Sequence, residues 1–182
     1  MTKIDPRKLR IARYPDSALK RRAESVEQFG PELKRLADAM FELMRGSKGV
    51  GLAAPQVGQP IRLFICNATT QPQDDLICIN PTLHDLTGSA EQQEGCLSLP
   101  GVTVTMRRAT HVVLRAFDVE GRPFERLANG LLARVWQHEI DHLDGRLIID
   151  RMSVADEIAN RRALRQLETE FASKRRRRGG GH

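Results

Sequence analysis

Aromatic residues are scarce: one Trp, one Tyr and six Phe make up 4% of the 182 residues. The core must therefore come from Leu, Ile, Val and Ala, and a stacking platform for single-stranded nucleic acid is lacking. Cysteine is equally thin, at three residues. An odd count in a chain of this length excludes a disulfide framework. No run approaches the roughly 20 apolar residues of a membrane span, so a membrane partner is not expected. Hydrophobic residues at 40% and charged residues at 29% exclude wholesale disorder.

Acidic residues are in slight deficit, and the deficit is local. Net charge is +6, and the run Lys174-Arg175-Arg176-Arg177-Arg178 carries +5 of it, which leaves +1 for everything else. Such a run is either a solvated tail or a contact for phosphate backbone. The stretch Met1 to Pro6 has no apolar core and carries an acid, so it reads as neither signal nor transit peptide. A reducing cytoplasm is the expected compartment.

Apolar positions Leu33, Leu36, Ala37, Met40, Phe41 and Met44 recur at helical spacing, with Pro31 at the first turn and Gly46 at the end. A Gly-rich loop occupies 49–58. Strands are expected near 61–67, 76–80, 83–88, 102–106 and 111–117, then a short strand after the turn at 120–123. Residues 130–142 return to helical spacing, Leu147-Ile148-Ile149 reads as a strand, and 154–172 as a charged helix. The expected class is α+β: antiparallel strands around a central helix, with further helices towards both ends. Domain 1–152 would carry the chemistry, followed by a charged helix and basic tail over 153–182.

That central helix holds the strongest local signal, His138-Glu139-Ile140-Asp141-His142. Residues four apart on a helix lie about 40° apart around its axis, on one face. Two imidazoles so placed hold one metal ion, the H-E-x-x-H arrangement of metal hydrolases. Glu139 and Asp141 flank the pair on opposite sides, and periodicity alone does not choose between them as proton shuttle. The longer reach of Glu and its place in the motif favour Glu139, with Asp141 surface-exposed or supporting. A catalytic site wants three protein ligands and an open position. Cys96, in Glu94-Gly95-Cys96-Leu97-Ser98, is the best candidate for the third. Cys66 and Cys78 sit in apolar runs and read as small core residues. His84, His111 and His182 lack a helical partner and read as structural or surface groups.

Three blocks in order carry a family resemblance. Gly49-Val50-Gly51-Leu52-Ala53-Ala54-Pro55-Gln56 is similar to G-x-G-x-A-A-x-Q. Glu94 to Ser98 is similar to E-G-C-L-S, and Gln137 to His142 to Q-H-E-x-D-H. Across roughly residues 8–150 the chain resembles peptide deformylase. The resemblance implies metal-dependent removal of the formyl group from N-formylmethionyl nascent polypeptides, with release of formate. Cys96, His138 and His142 would hold one divalent ion, ferrous iron in the native enzymes, replaceable by nickel, cobalt or zinc. Glu139 would move the proton. Gln56 and the backbone N–H of Leu97 would receive the formyl oxygen, and Gly51 would pair with the peptide backbone. Val50, Leu97 and Val135 are the candidate walls of the methionine pocket. Gln93 and Thr103 depart from the family, which carries an acid and, in some bacterial members, an arginine there. Bacterial relatives often end in a basic helix that docks on the ribosome. Arg161, Arg162, Arg165 and the 174–178 run suit rRNA contact, and DNA is not an expected partner.

Two other readings compete. A zinc endopeptidase of the H-E-x-x-H type needs a downstream third ligand, for which Glu157 is available, and leaves the Cys96 block unexplained. An RNA-binding module with a structural metal needs a closed coordination set, and only three good ligands are visible.

Overall fold

The computed structural model describes residues 9–179. In chain order the elements are α1 (Pro31–Gly46), β1 (Gly51–Ala53), β2 (Leu63–Cys66), β3 (Leu76–Thr87), β4 (Ala90–Gly95), β5 (Thr103–Arg108), β6 (His111–Phe117), β7 (Pro123–Asn129), α2 (Gly130–Leu143) and α3 (Val154–Gly179). Short 3-10 turns join several of them. The class is α+β, as the patterning indicates.

The main sheet runs β1-β2-β3-β6-β7, every neighbour antiparallel. Strand β2 is buried on both faces. Its alternation divides the core in two. Leu63 and Ile65 point to the α1 side, with Leu36, Met40 and Met44. Phe64 and Cys66 point to the α2 side, with Val135 and Trp136. Helix α2 is thereby pinned along its buried stripe, and its polar edge is free to carry chemistry. Each fully buried Leu or Ile contributes about 1.5–3 kcal/mol of transfer free energy, so this double packing dominates the local stability.

Strands β4 and β5 form a separate two-stranded ribbon. Val104 and Met106 face a third apolar cluster with Leu99, Leu147, Ile148 and Leu167 of α3. The outer edge of β5 is covered by α3. Asn160 Oδ1 accepts from Thr103 N at 3.1 Å, and Asn160 Nδ2 donates to Thr103 O at 2.8 Å. One buried side chain thus supplies both hydrogen bonds of a missing strand.

The structure corrects four expectations. Residues 147–149 are not a strand: Ile148–Arg151 form a 3-10 turn, and Asp150 Oδ2 accepts from Leu147 N at 2.8 Å. The turn buries Leu147 and Ile148 without a sheet partner. The two strands expected near 76–80 and 83–88 are one bulged strand, β3. Strand β4, Ala-Glu-Gln-Gln-Glu-Gly, was not expected, because its polar run lacks a β pattern. Helix α3 continues beyond 172 to Gly179. His182 lies outside the described residues. Among those residues no helix is long and apolar enough to cross a membrane.

Candidate active site

Helix α2 places His138 and His142 one turn apart, with ring centroids 4.9 Å from each other and planes at 75°. Cys96 leaves the end of β4 towards them. Its Sγ lies 3.3 Å from His142 Nε2. One donor atom from each of Cys96, His138 and His142 falls within 4.8 Å of the others. A soft thiolate and two imidazoles in that spacing fit a borderline divalent cation. Glu157 is exposed on α3 and does not join them.

The donor cluster rests on a buried ion network. Glu94 lies two residues before Cys96, near the end of β4. Its Oε2 accepts from His138 Nδ1 at 3.0 Å and from Arg108 Nη2 at 2.9 Å. Its Oε1 accepts from Arg108 Nε at 2.9 Å and Arg134 Nη1 at 2.6 Å. Occupying Nδ1 in this way leaves Nε2 of His138 for the donor cluster. Burial pushes the Glu94 carboxyl up, but hydrogen bonds from His138 and Arg108 outweigh burial and hold it well below the usual carboxylate range. Arg108 Nη1 also reaches Asp141 Oδ2 at 2.5 Å, and Arg151 reaches Asp141 Oδ1 at 3.1 Å. Asp141 therefore anchors arginines and stands outside the donor cluster. The motif contained Glu94 but gave it no role; the signal was its two-residue offset from Cys96.

Glu139 is 3% exposed, and its Oε2 has no hydrogen-bond partner among the described residues. Burial pushes its carboxyl up to about 7. His142 is held well below its ordinary value by burial and by the neighbouring His138 and Arg108. Its Nδ1 is also buried and has no hydrogen-bond partner among the described residues. Gln56, from the loop after β1, is fixed at both ends. Its Oε1 accepts from Ala53 N at 2.8 Å, and its Nε2 donates to Ser98 Oγ at 3.1 Å and to Cys96 Sγ at 3.6 Å. Ser98, fully buried, was not singled out from the sequence.

A cavity of about 530 Å³ opens onto this group. Val50, Gly51, Gln56, Cys96, Leu97, Val135, His138 and Glu139 all line it. His142 does not line it and lies deeper. His84 and His111 sit in β3 and β6, bonded to Thr82 and Thr110 respectively. Cys66 and Cys78 are buried, and burial raises both thiols.

An α+β scaffold with a Cys–His–His donor set and an unpartnered buried carboxylate beside it is that of a metal-dependent hydrolase. The sequence profile of the family described as polypeptide deformylase matches residues 8–157. A peptide deformylase of Thermodesulfovibrio yellowstonii is 44% identical over 147 residues, covering 80% of this chain and 89% of that protein. The crystal structure of the Plasmodium falciparum peptide deformylase superposes with a TM-score of 0.86 at 36% identity, covering 90% of this chain and 98% of the other. The Legionella pneumophila peptide deformylase gives 0.84 at 38% identity, covering 90% and 97%. The chain belongs to the polypeptide deformylase family.

Proposed function

We propose that the cavity binds the start of an N-formylmethionyl polypeptide and that the residues around it divide the deformylation as follows. Cys96, His138 and His142 hold one divalent cation, with ferrous iron as the native ion and nickel, cobalt or zinc as substitutes. Such an ion supplies Lewis acidity and lowers the pKa of water to near neutral. Glu139 accepts the proton of the attacking water and delivers it to the leaving amine. Its burial matches that task, because a carboxyl raised towards neutrality both takes and returns a proton near pH 7. The Gln56 amide and the Leu97 N–H receive the charge that develops on the formyl oxygen. Gln56 is suited to this because Ala53 N fixes which end of its amide faces Cys96. Val50, Leu97 and Val135 wall the methionine side chain, and Gly51 brings its backbone against the peptide.

The observation that carries this reading is the buried, unpartnered Glu139 Oε2 beside three convergent metal donors. The test is formate release from a formyl-Met-Ala-Ser peptide by anaerobically purified protein, with Glu139→Gln beside it. Turnover lost in the variant while metal stays bound supports the assignment. Bound metal without formate in either protein overturns it and returns the endopeptidase reading.

The exposed residues Arg161, Arg162, Arg165, Lys174, Arg175 and Arg176 of α3 extend the proposal to the ribosome. A polybasic helix contacts rRNA through phosphates. Deleting residues 174–178 then weakens ribosome binding in a salt-dependent way and leaves formyl-peptide turnover intact. Equal ribosome affinity with and without the run removes the idea.

A further inference from the structure

The outer cavity holds one charge that nothing in the reaction uses. Lys48 lines the cavity rim, is exposed, and makes no ion pair among the described residues. The other charged lining groups are committed. Glu94 and Arg134 bind each other at 2.6 Å, His138 is bonded to Glu94, and Glu139 sits at the reacting end. Gln93 and Pro100 to Thr103, which also line the cavity, carry no charge.

The backbone holds Lys48 in place. Helix α1 ends with Gly49 N donating to Met44 O at 2.9 Å and Lys48 N donating to Arg45 O at 3.0 Å. Lys48 is left-handed, with φ of 57°, the position in such a closure that glycine usually fills. A non-glycine residue there costs stability. The backbone conformation at this position therefore does not account for a lysine there.

The geometry also says which part of a ligand Lys48 meets. Strand β1 is an edge strand: its one partner is β2, and its first residue, Gly51, lines the cavity after Lys48, Gly49 and Val50. An extended peptide adds along such an edge at about 3.3 Å per residue. Gly51 lies against Glu139, so residues 50, 49 and 48 lead away from the reacting end. With formylmethionine opposite 50–51, the second and third residues of the peptide come within reach of the Lys48 ammonium.

We propose that Lys48 is a specificity-determining residue that favours an acidic side chain at the second or third position of the formyl-peptide. The inference rests on the deformylase reading of the site. An exposed ion pair of this kind changes kcat/KM by about two- to fivefold, expressed mainly in KM.

The test uses metal-loaded, full-length protein and C-terminally amidated peptides, so that no terminal carboxylate imitates the acid. Formyl-Met-Ala-Ala-amide is the reference, against peptides carrying Asp or Lys at position two or three. The readout is the kcat/KM ratio of charged to neutral peptide, at low and high salt. In the wild type, Asp at one of the two positions is favoured over Ala, and Lys is disfavoured, with both effects shrinking at high salt. Lys48→Glu inverts the order. Lys48→Gly abolishes the preference without lowering the melting temperature, which separates selection from folding. Wild-type ratios near one at both positions, or an acidic preference that survives both variants, overturn the proposal. Failure to turn over the neutral reference would instead reject the deformylase reading on which it stands.

Discussion

Glu94 Oε2 lies 3.0 Å from His138 Nδ1, and the same carboxylate binds Arg108 and Arg134. One side chain therefore orients the His138 imidazole and hydrogen-bonds two buried guanidiniums. Removing it has two separable effects. Glu94→Ala frees the His138 ring, and outer-shell losses of this type cost about 10–100-fold in metal affinity. It also strands Arg108, whose side chain is 3% exposed, without its main partner. Breaking a buried pair from one side costs about 3–5 kcal/mol. Metal content after dialysis against a weak chelator reads the first effect, and urea unfolding of the metal-free protein reads the second. Unchanged values in both would show that the network orients nothing.

The same carboxylate sets an acid limit on stability. Its pKa in the fold lies below the unfolded value, because His138 and Arg108 hydrogen-bond the charged form against the opposing effect of burial. A depressed acid contributes fully above its unfolded pKa of about 4.3 and loses that contribution as pH falls below it. Urea midpoints of the wild type should therefore drop more steeply than those of Glu94→Gln from about pH 4.3 downward, with the loss continuing towards the depressed pKa of the fold. Parallel slopes would place the acid sensitivity elsewhere.

Legibility in the sequence follows the range of the interaction. Helix α1 and the His138–His142 face of α2 were readable because their periodicity is local. Cys96 was readable as a candidate metal donor only by chemistry and resemblance, since it meets His142 across 46 positions of chain. Strand β4 was not readable. Its exposed Glu and Gln residues carry no apolar alternation, and it exists because β5 pairs with it along six residues. Leu147 to Ile149 misled for the opposite reason. An apolar triplet has the composition of a strand, yet here a 3-10 turn buries it against Val104 and Leu167. The carboxylate of Glu94 and the hydroxyl of Ser98 took on roles only once β4 had brought them beside α2 and Gln56.

Asn160 shows how α3 is joined to the ribbon that carries Cys96. Both of its side-chain ends are used on Thr103, and the residue is 6% exposed. Asn160→Ala leaves the Thr103 N–H and C=O without these two partners. The cost is about 0.5–1.5 kcal/mol for each hydrogen bond lost. Amide exchange in β5 should rise more than in β2, because only the ribbon loses its cover. Asn160→Asp keeps the acceptor but loses the donor, so it should fall between alanine and the wild type. Equal exchange in both strands would mean that α3 is held by Leu167 and its apolar neighbours alone.

Gly51 tests the fit between β1 and the Glu139 carboxylate. A Cβ there would stand 2.9 Å from Glu139 Cδ and 2.9 Å from Val135 Cγ1, closer than real contacts allow. The glycine is not in the left-handed region, so alanine meets no backbone strain and the effect is purely one of space. Val135 is held in the α2 core, so Glu139 is the group that moves. Overpacking of this size costs about 1–3 kcal/mol of stability. Displacing the carboxylate proposed above as general base costs more in rate, up to about 100-fold for a misplacement of order 1 Å. Gly51→Ala should therefore fold, retain metal and lose most of its kcat with a smaller change in KM. A variant with normal kcat and a raised KM would show instead that the added methyl obstructs the peptide and leaves Glu139 in place.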